Sequence, residues 1–274
     1  MSFRSSFSGS AGGTRFLRHF RRLGKKRVPP ALPLNGVGIV LLFVVVTSCA
    51  SADSLTKAPA GIDAALWNRM LAVDAKAGKI VDLTADFEQQ KFTPLLKKPM
   101  ISSGTVQAKG TAMLWDTRTP EPTIMRVDET EVSLFYPKQK TVEIYPLAGQ
   151  LSSLAASPLP RLTVLIPHFS FTPGAAKDFG QEERADRLVI HLTPTEATLR
   201  EHVDSVTVLI DAERGFILAF QLVDSDGEKT VIRFSNVKTN TNLEDAGLKL
   251  KLPAEIKTVR PLEHLGGPPA SPRK

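Results

Sequence analysis

The sequence predicts an α+β domain built mainly of antiparallel β structure, a barrel or sandwich of about eleven short strands. Three observations lead there. One amphipathic helical stretch stands ahead of the rest. Behind it, a period-two alternation of apolar and polar residues returns segment after segment. Few helical stretches interleave those segments, which argues against parallel βαβ packing.

The helix comes first. IDAALWNRMLAVDAKAG, residues 62–78, sets Ile62, Leu66, Met70 and Val73 on one face, with Trp67 at the stripe's edge. Asn68, Asp74 and Lys76 fall largely on the other sides, and Gly78 suits a C-terminal cap. Such a helix needs an apolar partner. From Val81 to Glu88 every odd position is apolar and every even one polar, so this segment reads as a strand with one buried face. The same alternation marks 104–109, 111–116, 123–127, 131–136 and 141–145. It resumes at 187–192, 203–211, 216–224, 229–237, 248–252 and 256–259. DAERG at 211–215 and DSDG at 224–227 are hairpin turns with a glycine for the left-handed position.

Between the two runs of strands, residues 147–173 carry very little charge and four prolines, Pro158, Pro160, Pro167 and Pro173. Two short apolar helical pieces fit, around 151–156 and 159–166, cut apart by the prolines. One reading makes this segment a core-capping insert. The other makes it, with the first helix, a hydrophobic lid over a concave sheet.

The N-terminal region reads as an address. LLFVVVTSCASADS, residues 41–54, contains the most apolar run of the chain and its one cysteine, Cys49. The run is too short for a bilayer span of about 20 residues and suits a signal-peptide core. Eight basic residues and no acidic ones precede Cys49, and this basic region is long enough to point to a start codon downstream of Met1. Val46-Thr47-Ser48-Cys49 resembles a bacterial lipobox, which implies cleavage before Cys49 and a diacylglyceryl group on its thiol. The alternative is an ordinary signal peptide cleaved near Ala50 or Ala52. The surroundings of Arg21-Arg22 fit a twin-arginine signal poorly. The organisation expected is therefore a leader over 1–48, a lipidated tether over 49–61, a folded domain over 62–262 and a tail over 263–274.

The charge count depends on that leader. The chain has 35 Lys+Arg and 28 Asp+Glu, and removing the eight leader residues leaves 27 against 28. The basic balance belongs to targeting, and no basic footprint for nucleic acid remains. With one cysteine, no intramolecular disulfide is available, so the core alone must hold a single, monomeric domain. Catalytic and metal patterns are also missing. His168, His191, His202 and His264 have no partner at ligand spacing, and no nucleophile elbow, phosphate loop or dinucleotide fingerprint occurs. No cofactor and no enzymatic activity are expected. His191 lies opposite Leu188, Ile190 and Leu192 and reads as solvated; Asp224 and Asp226 read as turn formers.

A series of short motifs then falls in a recognisable order. Phe87-x-Gln89 closes the first strand, Gly104 opens the next, and Trp115 ends a strand ahead of Pro120. Leu134-Phe135-Tyr136-Pro137 follows, then 141–145, then ID-x-x-x-G-x-I from 210 to 217, Phe220-Gln221, Asp226-Gly227-x-x-Thr230, Phe234-Ser235-Asn236 and Pro253. This order resembles the LolA/LolB-type periplasmic lipoprotein carriers over about residues 62–262 and is closer to the LolA-like carriers. The resemblance implies an unclosed half-barrel, helices forming a lid over an apolar cavity, and acyl chains of a lipoprotein as ligand. It also implies as partners an inner-membrane release complex or an outer-membrane acceptor, in a periplasm-facing location. Two features depart from the family. Its Arg-Pro near the first tryptophan is replaced by Lys109-Gly110, where the family arginine ties the lid to the barrel; lysine lacks the planar fork of arginine. The soluble carrier is not lipidated, whereas Cys49 implies a membrane anchor.

The candidate cavity lining follows from strand alternation and the lid segment. Leu83, Phe87, Met113, Trp115, Leu134, Tyr136, Phe220 and Leu222 come from strands, and Leu162, Leu165, Ile166 and Phe169 from the lid. Ordinary core packing is the alternative for each. Burial of acyl chains at about 0.8 kcal/mol per methylene would give strong binding. The expectation is a carrier or acceptor without catalysis. A stress-sensing domain of the same fold and a secreted hydrolase stand as alternatives.

Overall fold

The computed structural model describes residues 57–146 and 158–261. Helix α1 runs over Ala64–Ala77. Asp63 caps it, its carboxylate accepting from the amides of Ala65 and Leu66. Leu66, Trp67, Met70, Val73 and Ala77 are its buried residues; Leu66, Met70 and Val73 belong to the stripe expected from the spacing, whereas Ile62 lies ahead of the helix and Trp67 is buried and not at an edge.

Twelve strands follow among the described residues. They are β1 (Asp82–Phe92), β2 (Met100–Lys109), β3 (Ala112–Thr119), β4 (Thr123–Val127), β5 (Glu131–Tyr136) and β6 (Thr141–Pro146). Then come β7 (Phe169–Pro173), β8 (Arg187–Pro194), β9 (Val203–Asp211), β10 (Phe216–Asp224), β11 (Lys229–Thr239) and β12 (Lys257–Val259). A single turn of helix, α2 (Ala197–Arg200), joins β8 to β9. All twelve strands form one sheet in the order β12-β6-β5-β4-β3-β2-β1-β11-β10-β9-β8-β7. The end strands β12 and β7 do not pair with each other, so the sheet is unclosed. Every pairing is antiparallel except β12 with β6.

Several sequence expectations change. Phe169 lies on edge strand β7 and not in a helical lid, because Phe169 and Phe171 alternate with Ser170 and Thr172 and pair with β8. The 159–166 piece is a 3-10 turn over Leu162–Leu165. The 151–156 piece lies outside the described residues. Residues 248–252 alternate but form no strand; a 3-10 turn over Asp245–Leu248 ends there instead, and Arg126 Nε donates to the Leu248 carbonyl at 3.1 Å. The turn glycines behave as expected, Gly215 at φ 83 and Gly227 at φ 78.

Register carries one face through the whole sheet. Leu83 pairs with Ala108, Ala108 with Met113, Met113 with Val127, and Val127 with Val132. One step along, Ala85, Val106, Trp115, Met125 and Leu134 oppose one another. Towards the other edge, Phe220 pairs with Ile232 and Val208, and Val208 with Ile190. This is the inner face. It carries two apolar clusters. In one, Leu66, Trp67, Met70 and Val73 of α1 pack on Phe171, Leu188, Ile190, Leu192, Val208 and Ile210. In the other, Leu83, Phe87, Val106, Met113, Trp115, Met125, Val127 and Phe234 pack together, and no residue of α1 belongs to it. Phe220 and Ile217 touch both. A third cluster, with Ala176 and Phe179 over Val189, Leu209 and Ala219, covers the outer face of β8–β10. There β9 is buried on both sides from Thr207 to Asp211.

Candidate functional site

The inner face gathers most of the expected lining residues but divides them. Leu83, Phe87, Met113 and Trp115 are buried in the β1–β4 cluster, and Leu134 packs half-buried against it. Leu162, Phe169 and Leu222 belong to the α1 cluster, with Leu165 and Ile166 packed half-buried on it. Phe220 bridges the two. Phe87 meets Trp115 edge-on with ring centroids 4.9 Å apart, and Trp115 meets Phe234 at 5.8 Å. Tyr136 is half-buried and bonded to a carboxylate. Its hydroxyl donates to Glu143 at 3.4 Å, and that of Tyr145 donates to the same oxygen at 2.8 Å. Burial first, then Glu143, pushes the Tyr136 phenol up to about 12. Burial and the bond to Glu143 push Tyr145 up as well. Both phenols therefore stay protonated donors at neutral pH.

Lys109 sits elsewhere than a lid latch would. It follows Ala108 on β2 and so points to the outer face. Its ammonium donates to the Leu243 carbonyl at 2.8 Å and pairs with Asp245 at 2.7 Å, both in the segment after β11. Its cross-strand partner Asp82 grips the same segment, accepting from Thr241 N at 2.8 Å, Thr241 Oγ1 at 2.9 Å and Leu243 N at 3.1 Å. Burial pushes the Asp82 carboxyl up, but those bonds outweigh it and hold it below the usual carboxylate range.

The group that ties α1 to the neighbouring turn is one the sequence reading set aside. Asp74, on the polar side of α1, accepts from Leu162 N and Thr163 N, each at 2.9 Å, and from Thr163 Oγ1 at 2.7 Å. Two amides and a hydroxyl on one carboxylate are charge-assisted bonds, stronger than neutral ones. Lys76 donates to the Ala212 carbonyl at 2.7 Å, and Arg69 donates to that of Arg187. Helix, turn and the β8–β10 loops are thus joined at their polar rims. Asp74 could be found in the sequence only as a polar residue on a helix; its partners lie 88 and 89 residues away. His168, buried before β7, contacts Glu196 through Nδ1, and His191 meets Thr207 Oγ1 at 3.0 Å on the outer face. Cys49 lies outside the described residues. Among those residues, no helix is long and apolar enough to cross a membrane.

The family model of the outer membrane lipoprotein carrier protein LolA matches residues 79–251, from the start of β1 through β11 and the turn beyond it. The chain belongs to this family. Among curated relatives, the outer-membrane lipoprotein carrier protein of Pseudomonas putida KT2440 is 28% identical over 207 residues, covering 68% of this chain and 94% of the relative. That of Vibrio cholerae O395 is 26% identical over 159 residues, 57% of this chain and 72% of the relative. Among solved structures, an uncharacterized conserved protein of Thermus thermophilus superposes with a TM-score of 0.47 at 12% identity, covering 72% of this chain and 99% of that one. Membership fits the unclosed antiparallel sheet and the preceding helix. Lys109 lies on the outer face of β2, bound to the segment after β11.

Proposed function

We propose that this LolA-family chain is a non-catalytic carrier or acceptor. Its inner face over β1–β6, up to the Phe220 seam, holds acyl chains of lipoproteins or other lipids for transfer towards the outer membrane. The observation that carries this reading is the divided core. Helix α1 packs on the β7–β10 half, while the β1–β4 half carries a separate buried apolar cluster that has no α1 residue among its members and that Leu159, ahead of the Leu162–Leu165 turn, joins. In a one-faced sheet such a surface must be filled by side chains or by a ligand. Helix α1 and the Leu162–Leu165 turn, joined by Asp74, form the wall and lid beside it.

Leu134→Glu tests the face, because Leu134 is half-buried and an unpaired carboxylate there is unfavourable. Uptake of a fluorescent fatty acid is expected to fall about tenfold or more in folded protein, a loss near 1.4 kcal/mol. Unchanged uptake by folded Leu134→Glu rules the face out. The leader and the anchor at Cys49 belong to the same proposal and place the protein at the periplasmic side of a membrane. Cys49→Ser is then expected to leave unprocessed precursor. Normal processing, with no acyl mass on the wild type, would remove the anchor.

A further inference from the structure

The inner face of β1–β6 has two ends of different chemistry. At one end the cross-strand line is Leu83, Ala108, Met113, Val127 and Val132, each 2% exposed or less. At the other end, register lines up three polar pairs: Thr230 with Lys91, Gln89 with Ser102, and Thr117 with Thr123. All six are 5% exposed or less. Trp115 stands two residues from Thr117 on the same face, and its buried Nε1 has no hydrogen-bond partner. The band stops at β10. Thr230 faces Leu222, and the positions beyond are Val206 and Leu192.

Buried hydroxyls and amides are unfavourable without partners, and a face meant only for alkyl chains has no use for five of them beside a lysine. The chemistry of the band narrows the partner. An indole N–H donates only, so it needs an acceptor. The one cation of the band, Lys91, is already paired with Glu228 at 2.6 Å. Glu143, further along the same face, already accepts from Tyr136 and Tyr145 and offers an anion no donor. A phosphate would find no free positive charge there, whereas a neutral carbonyl would find donors. Trp67 Nε1 is also buried without a partner, but it lies among apolar side chains of the other cluster with no such band beside it.

We infer that the band is a subsite for the ester or amide carbonyls of an acylated glyceryl or amine group. Trp115 Nε1 is a donor to one carbonyl, and the chains run from there towards the Leu83–Met113 end. This inference rests on the acyl-binding reading and adds to it the linkage recognised and the orientation of the chains. The test is displacement of a bound fluorescent fatty acid from the purified chain by dipalmitoylglycerol and by its dihexadecyl ether analogue, which lacks both carbonyls. One or two hydrogen bonds predict an ester preference of about 5- to 20-fold in wild type. Trp115→Phe, and separately the shape-matched Thr117→Val/Thr123→Val pair, are each expected to bring the ester-to-ether ratio towards one. The second variant keeps the test valid should loss of the indole disturb folding. Equal displacement by ester and ether in wild type overturns the subsite while leaving acyl binding intact. Displacement by neither lipid, with no fatty acid taken up, overturns the acyl-binding reading and this inference with it.

Discussion

Across β7–β10 the inner face is made of Leu, Ile, Val and Phe, and α1 lies on it with Trp67, Met70 and Val73. The outer face of β8–β10 is covered too, by Ala176 and Phe179. Across β1–β4 the inner face is as well buried but mixed, with a band of Thr, Ser, Gln and Lys beside Phe87 and Trp115. One register runs through both halves, so backbone geometry does not distinguish them; side-chain chemistry does. The β7–β10 half is composed as a core must be to stay folded. The β1–β4 half carries polar groups that contribute little to a core and that suit the carbonyl subsite inferred above.

The largest effect expected from this contrast is on stability. Trp67→Ala removes a fully buried indole from the α1 cluster and should cost about 3–5 kcal/mol in denaturant unfolding. Thr117→Val/Thr123→Val, equally buried in the other half, should leave stability near wild type or raise it slightly. A large loss from the threonine pair would mean that the band is structural.

Asp74→Ala comes next. It leaves the amides of Leu162 and Thr163 without their carboxylate and should destabilise by about 1–3 kcal/mol. It should also speed release of a bound fluorescent fatty acid several-fold in stopped flow. Lys109→Leu, on the outer face, should leave that release rate unchanged. Faster release from Lys109→Leu and not from Asp74→Ala would restore the latch to Lys109.

The smallest effect is pH-dependent. Asp82 is held below its unfolded value, so its contribution is present above the usual carboxylate range and is lost as pH falls below about 4. Asp82→Asn should therefore flatten the acid limb of the stability curve there, measured by thermal melts from pH 5 to pH 2. An acid limb as steep as that of wild type would show that the Asp82 bonds to Thr241 and Leu243 contribute nothing.

Much of this fold was legible in the sequence because alternation is local. Leu83 to Phe87, Met113 with Trp115, and Leu188 to Leu192 announce an apolar face within a few residues, and Gly78 and Gly215 mark a cap and a turn. What was not legible depends on distant partners. Residues 248–252 alternate as a strand does, yet alternation alone supplies no neighbour to pair with. The Phe169–Phe171 signal was present but was hidden by the prolines around it. Lys109 was placed by its nearness in sequence to Trp115, but its odd position on β2 turns it away from the inner face. Asp74 looked like any solvated helix residue, because its partners are remote in sequence. The division of the candidate lining into two clusters follows from where α1 lands, which no local pattern states.

The chain holds two tryptophans, Trp67 in the α1 cluster and Trp115 in the β1–β4 cluster, so each half carries its own reporter. Titrating a brominated fatty acid, a contact-range quencher, into Trp67→Phe and Trp115→Phe reads which half the acyl chain touches. Strong quenching is expected in Trp67→Phe, where only Trp115 emits, and little in Trp115→Phe. Quenching confined to Trp67, or equal in both variants, would contradict acyl binding on the β1–β6 face.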